Sequence, residues 1–312
     1  MVREQEQMTM ADALREHPGR GGMLVVANRE AAAIDRHVIE QTLATLREAG
    51  PVEYTEPVGT DQLGQVVDDR GDRPLIVMGG DGALHDVVAL LHRRNELDRC
   101  DIGLIPVAAR SDLARNLRIP LDPVRAARRV LRGRPRTLDL FADDAGGVVV
   151  SAVHMGIGAE EPRFAWPLRP EFGPLALPVG ALAAGFTSDG WRLDVEIDGE
   201  IRSREGRPVL MVALANAVAI GGGTARVVPT AVPDDGLIDV LIAQPLGPLA
   251  RMGYAIALRR GTHLDREDVL NVQGHRVTVR GEPFPVNSDG DVSMDVTERT
   301  WSVTPAGWRL IF

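Results

Sequence analysis

The chain has 312 residues, 44% of them hydrophobic and 25% charged, which suits a soluble globular protein with room for one large domain or two ordinary ones. A net charge of −9 disfavours a nucleic-acid partner, which needs a basic face. All 35 basic residues are arginine, so Schiff-base chemistry and a phosphate-binding lysine are excluded. A single cysteine, Cys100, allows neither an internal disulfide nor a cysteine-based zinc cluster, and a cytoplasmic location is expected.

Met1–Arg20 is polar and of mixed charge, without the apolar core of a secretory signal. Met23–Ala27 reads as a first strand, ended by Asn28. Ala31–Ala49 has helical apolar spacing and closes at Gly50. Val52–Tyr54 is a second strand, followed by Thr55 and a helix around Gln62–Asp69. Leu75–Met78 is a short continuous apolar run, as in a parallel strand covered on both faces. It leads into Gly79, Gly80, Asp81, Gly82 and Ala83, then a helix running to about Asn95. The glycines permit positive φ and close approach of a ligand, and the helix start offers amide donors to an anion. A carboxylate in such a cradle makes sense facing a metal ion, a metal-bound water or a ribose hydroxyl. The plainer alternative is a strand–turn–helix corner with no ligand.

Ile102–Pro106 is a further buried strand, followed by Ala108, Ala109, Arg110, Ser111 and Asp112 and a helix from Leu113. Strands alternating with helices at this spacing imply a doubly wound parallel sheet, with ligands at the carboxyl ends of its strands. Asn28, Asp81 and Asp112 fall at those ends. Arg125, Arg128, Arg129, Arg132, Arg134 and Arg136 form either a solvated helix face or a patch for anionic lipid headgroups.

Beyond Leu140 the pattern changes. Val148–Val153, Trp191–Ile197, Val209–Ala215, Leu237–Ala243 and His275–Arg280 read as strands of a mainly antiparallel sheet. Asp198-Gly199 and Asp235-Gly236 supply turn signals, and Ser302–Phe312 adds one more strand. The apolar stretch Leu175–Phe186 is interrupted by Pro178, Gly180 and Gly185 and is too short to span a bilayer. Phe164–Phe186, with Trp166, Phe172 and Leu175–Leu177, is either a wall for acyl chains or the packing face of one helix.

Six motifs occur in order: Gly79–Gly82; Ile105-Pro106 through Asp112, Ala114, Leu117, Ile119 and Pro120; Asp139-Leu140; Gly173–Ala176; Pro229–Val240; and Asp289-Gly290-Asp291. In that order they resemble the diacylglycerol kinase-like lipid kinases of bacteria, relatives of sphingosine kinases and distantly of NAD kinases. The resemblance covers about Met23–Phe312. It implies an α/β, NAD kinase-like doubly wound N-terminal domain (1–140), a mainly antiparallel β-sandwich domain (141–292) and a C-terminal segment (293–312) returning to the first domain. It further implies transfer of the γ-phosphate of ATP, with Mg2+, to a diacylglycerol-like lipid hydroxyl. ATP would lie on the glycine turn, in the cleft between the domains. Asn28, Thr55, Gly79, Gly80, Asp81, Gly82, Ala83, Ala109, Ser111 and Asp112 would take nucleotide roles. Asp289 and Asp291 match the catalytic acidic pair, although Asp-Gly is also a plain hairpin signal. Asp235, with main-chain oxygens near Val232 and Leu237, matches a metal site more structural than catalytic. Expected partners are a lipid substrate at the membrane surface, no nucleic acid and no transmembrane segment. A homodimer and a peripheral position on the inner membrane face are compatible with this.

The sequence also departs from the family. Ala83 replaces a threonine, Ala108-Ala109-Arg110-Ser111 replaces Gly-Thr-Gly-Asn, Asn28-Arg29-Glu30-Ala31-Ala32 replaces a glycine-bearing phosphate loop, and Asp291 replaces a glutamate. These losses favour, as rivals, a non-catalytic nucleotide- or lipid-binding descendant. An NAD kinase-like enzyme acting on a soluble hydroxyl is a third reading, opposed by the Pro229–Val240 and Asp289–Asp291 motifs.

Overall fold

The structure is a computed structural model, which describes residues 8–16, 22–28, 35–107, 111–159, 189–203, 207–217 and 226–312. The chain divides into two compact units, Met1–Leu138 with Ala306–Phe312, and Asp139–Pro305.

In the first unit the strands are β1 (Met23–Ala27), β2 (Val52–Thr55), β3 (Leu75–Gly79) and β4 (Asp101–Pro106). The helices are α1 (Met10–Glu16), α2 (Arg36–Arg47), α3 (Gly59–Asp68), α4 (Asp81–Arg93), α5 (Asp112–Asn116) and α6 (Pro123–Arg132). Val25 lies opposite Tyr54 of β2 on one side and Ile76 of β3 on the other, and Val77 lies opposite Leu104, all in parallel register. The sheet is completed by the end of the last strand, where Leu310 runs parallel to Ile102.

Crossovers between parallel strands of one sheet are right-handed as a rule, so the direction of each step sets the face on which its helix packs. The chain steps from β1 to β2 in one direction and from β2 past β1 to β3 in the other. The helices are therefore shared between the two faces: α2 packs on α6, and α3 on α4. This explains why β1 and β3 are buried at every residue. Gly103 lets α6 sit close, since a Cβ there would meet Ile76 Cδ1 at 2.7 Å and Val130 Cγ1 at 3.0 Å.

The second unit contains the rest of β5 (Pro135–Asp143), then β6 (Val148–Val149), β7 (Ala152–Gly156), β8 (Leu193–Ile197) and β9 (Glu200–Ile201). It continues with β10 (Met211–Ala215), β11 (Ile238–Ala243), α7 (Gly247–Arg260), β12 (Val269–Gly274), β13 (Arg276–Ser288) and the first part of β14 (Asp291–Ile311). Neighbouring strands β12, β11, β10, β7 and β13 are antiparallel. Strand β13 shifts register around Phe284, then pairs with β7 through Val286–Ser288, after its earlier residues have paired with β8. Period-2 alternation splits β10 between two cores. Val212 and Leu214 join Phe141, Val153, Phe284 and Trp301, whereas Met211, Ala213 and Ala215 join Val227, Val228 and Tyr254. Burial on both faces is the packing of a sandwich.

The sequence-based expectation of an NAD kinase-like α/β domain followed by a β-sandwich holds. Five elements, α1, β5, β9, β12 and α7, were not among the expectations. In α7, Pro248 stands in the first turn, where its missing N–H has no partner to lose. The expected strand over Ser302–Phe312 is the end of a longer one, β14.

Candidate active site

In the first unit the sequence-predicted residues gather at the carboxyl ends of adjacent strands. Asn28 follows β1, Thr55 ends β2, Gly79 ends β3, and Ser111-Asp112 begin α5 after β4. The Asn28 amide donates to the Met78 carbonyl at 3.3 Å, and the Val107 amide to the Gly79 carbonyl at 3.2 Å. The Asp81 carboxylate accepts the Asp112 backbone N–H at 2.6 Å, tying the glycine turn to the turn after β4. Ser111 is fully buried, while Asn28, Thr55, Ala83 and Asp112 are half-buried.

The glycines serve the turn differently from the expectation. None of Gly79, Gly80 and Gly82 has positive φ, and Gly80 sits at φ −97°, ψ −169°. What Gly79 provides is closeness: a Cβ there would stand 2.6 Å from Ala83 Cβ and 3.4 Å from Asn28 Cγ. A Cβ on Gly82 would meet nothing within 4 Å, so that side of the turn is open to a ligand. Gly80 is the N-cap of α4 and, as a glycine, sets no capping oxygen of its own over the positive end of the helix dipole. Ala109, with the rest of the 108–110 turn, lies outside the described residues, as do residues 29–34.

In the second unit, Asp289 and Gly290 form the two-residue turn between β13 and β14, with φ of 50° and 107° and Ser288 opposite Asp291. The hairpin reading of Asp-Gly is therefore present, and the turn does more. Asp289 Oδ2 accepts the Val150 N–H at 2.6 Å, and Oδ1 accepts those of Ser151 and Ala152, each at 3.0 Å. The Asp289 amide returns a bond to the Ala152 carbonyl at 3.0 Å. Gly290 N–H is taken by Asn287 Oδ1 at 2.8 Å. Asp291, next to this anchored turn, is exposed, as are Val292 and Met294 beyond it.

Two residues that sequence reasoning did not single out belong to this region. His154, opposite Asn287 on β7, is buried and has no hydrogen-bond partner for Nδ1 among the described residues. Burial pushes its pKa down to about 4, with the Asp289 charge opposing the shift, so the ring is neutral near pH 7. Asn216, 1% exposed, donates through Nδ2 to the carbonyls of Asp139 at 2.8 Å and Val150 at 3.2 Å. The available signals were a polar residue within an apolar strand for His154 and one just past the end of an apolar strand for Asn216.

The candidate metal residues form a third cluster. Asp235 is exposed, and its carboxylate accepts the Leu237 N–H at 3.0 Å and Gln273 Nε2 at 3.2 Å. Gln273 Nε2 also reaches the buried Asp239 at 3.3 Å, and burial, helped by the Asp235 charge, raises the Asp239 pKa. Asp139, from the Asp139-Leu140 motif, fixes this loop by accepting Gly236 N–H at 2.6 Å. Among the described residues no three of His, Cys, Asp and Glu come together as metal ligands. Asp235 beside Asp239, both reached by Gln273 Nε2, is a donor set that Mg2+, which uses few protein ligands and keeps its waters, can accept.

A parallel sheet with a glycine-capped helix at a glycine turn, joined to a β-sandwich carrying an acidic hairpin, places the chain in the NAD kinase-like class. The family model "Diacylglycerol kinase catalytic domain" matches residues 22–142, and "YegS C-terminal NAD kinase beta sandwich-like domain" matches residues 151–312. The chain belongs to the diacylglycerol kinase-like lipid kinases. It is 26% identical over 226 residues to the diacylglycerol kinase of Bacillus subtilis (strain 168), covering 70% of each chain. It is 25% identical over 282 residues to the "Probable lipid kinase YegS-like" of Chromohalobacter salexigens, covering 87% of each. The fold matches a diacylglycerol kinase structure from Bacillus anthracis str. Sterne with a TM-score of 0.72 at 18% identity, over 94% of this chain and 97% of that one. Among the described residues, no helix is long and apolar enough to cross a membrane.

Proposed function

We infer that the chain transfers the γ-phosphate of ATP to the hydroxyl of a diacylglycerol-like lipid, with magnesium, at a membrane surface. The observation that carries this is the convergence of Asn28, Gly79, Asp81 and Asp112 around the glycine-capped start of α4, in a chain of the lipid kinase family. Phosphoryl transfer asks mainly for positioning and charge stabilisation, and backbone amides supply both without lysine.

The lipid oxygen attacks the γ-phosphorus, the bond to the β–γ bridging oxygen breaks, and ADP leaves. The hydroxyl proton needs an acceptor. Asp289 engages both carboxylate oxygens with backbone amides, so we assign it the anchoring of the hairpin, and we assign the proton to the exposed Asp291. Magnesium would be held by Asp235 with oxygens of Val232 and Leu237, and when bound it offsets the negative charge of this loop.

Labelled-phosphate transfer from ATP to a panel of extracted lipids, with and without magnesium, tests this reading. A labelled lipid that requires magnesium is expected. No labelled lipid from a protein that binds ATP would instead identify a non-catalytic descendant, the reading favoured by the Asp289 carboxylate being committed to structure and by the shortened acid at 291.

A further inference from the structure

Surface helices ordinarily turn their polar face to solvent. Helix α7 of the second unit is apolar on the side that meets the core and on the side that meets solvent. Its buried contact is made by Tyr254, which packs with Val227, Val228 and Leu241. The opposite side presents Leu249, Met252 and Ile256, spaced i, i+3 and i+7 on one face, and Leu249 is 80% exposed. Leu246, just before the helix, extends the exposed stripe. The stripe runs into Arg259 and Arg260, both exposed, in the last turn. Gly247–Arg260 contains three arginines and no acidic residue, whereas the whole chain carries −9.

We propose that α7 is the membrane-docking element of this protein, lying in the interface of an anionic phospholipid surface with Leu249, Met252 and Ile256 inserted. An apolar stripe beside cationic side chains is the pattern of a helix that lies in the headgroup boundary. The aliphatic stems of Arg259 and Arg260 can lie along the apolar layer while their guanidinium groups reach the phosphates. Charge gives no support to a second copy on the same face, because Gly247–Arg260 holds no acidic residue that could pair with the arginines of an identical helix. The inference rests on the lipid kinase reading, since docking brings the enzyme to a water-insoluble substrate, but it concerns binding alone.

The test is co-sedimentation of the full chain with vesicles of phosphatidylglycerol and phosphatidylcholine, and with vesicles of phosphatidylcholine only. Binding is expected on the anionic vesicles and is lost in high salt. Leu249→Ser with Ile256→Ser should weaken it about tenfold for each side chain withdrawn from the apolar layer. Arg259→Gln with Arg260→Gln should weaken it about fivefold per arginine. Both double variants should melt like the parent and phosphorylate a short-chain, monomerically dispersed diacylglycerol at the parental rate. Vesicle binding unchanged in the Leu249/Ile256 variant overturns the proposal. So does a parent dimer that this variant converts to monomers without loss of vesicle binding, which would make the face an interface between copies. Vesicle binding through α7 without any phosphate transfer would leave docking standing and remove the kinase reading. Transfer to dispersed lipid without vesicle binding would do the opposite.

Discussion

At the scale of single residues, Asp289 and Asp291 divide the work of one short turn. Three backbone N–H groups hold Asp289 against Val150–Ala152, and the adjoining Asp291 faces solvent. Asp291→Asn keeps size and removes the basic oxygen, so steady-state phosphate transfer should fall about 10²–10⁴-fold with ATP affinity little changed. Equal turnover in parent and variant would remove Asp291 from the mechanism. His154 makes a separate, thermodynamic prediction. Its folded pKa of about 4 lies below the ordinary histidine value of 6.5, so between those values the unfolded chain binds the extra proton. The contribution is fully present above pH 6.5 and lost as pH falls toward 4, by up to about 3 kcal/mol. Urea unfolding of His154→Leu should show a shallower loss of stability from pH 7 to pH 4.5 than the parent. Parallel curves would mean that His154 is not buried neutral.

At the scale of elements, the junction of β3 with α4 depends on the absence of one Cβ. Gly79→Ala would place a methyl 2.6 Å from Ala83 Cβ, and relief requires α4 to move away from the strand. Overpacking of this kind costs about 1–3 kcal/mol. ATP binding should weaken with it, because the start of the helix is displaced. Adding Ala83→Gly removes the clashing atom and should restore most of the lost stability, measured by thermal melting. A double variant no better than Gly79→Ala would show that Gly79 serves something other than this contact. Helix α6 shows the same economy of space at Gly103, where Val130 packs against the strand backbone. All six arginines on and after α6 are exposed, and Arg136 stacks over Phe312 with its guanidinium carbon 4.9 Å from the ring centre. That contact gives one of them a structural role at the chain end.

At the scale of the whole molecule, β14 belongs to both units, with residues 291–305 in the second and 306–312 in the first. Its end contributes Trp308, Leu310, Ile311 and Phe312 to the first unit, all buried. Burial of such side chains is worth about 1.5–3 kcal/mol each. Four of them approach the total stability of a typical domain, about 5–15 kcal/mol. Truncation after Pro305 should therefore unfold the first unit, with loss of ATP binding and rapid proteolysis within residues 22–138. A truncated chain that keeps parental ATP affinity would show that β1–β4 suffice alone.

The sequence by itself determined the class of the fold and the places where chemistry is concentrated. Short apolar runs bounded by turn residues, such as Leu75–Met78 before Gly79, favour strands covered on both faces, and an Asp-Gly pair at 289–290 strongly specifies a tight turn. These signals are local, carried by a few consecutive residues. The tertiary structure decided what depends on neighbours distant in sequence. It turned Asp289 toward the amides of residues 150–152, joined Asp81 to Asp112, buried His154 opposite Asn287 and bridged Asp139 to Val150 through Asn216. It also set the orientation of α7, whose apolar residues could not reveal which side meets the core, because both sides are apolar and burial is a property of what packs against them.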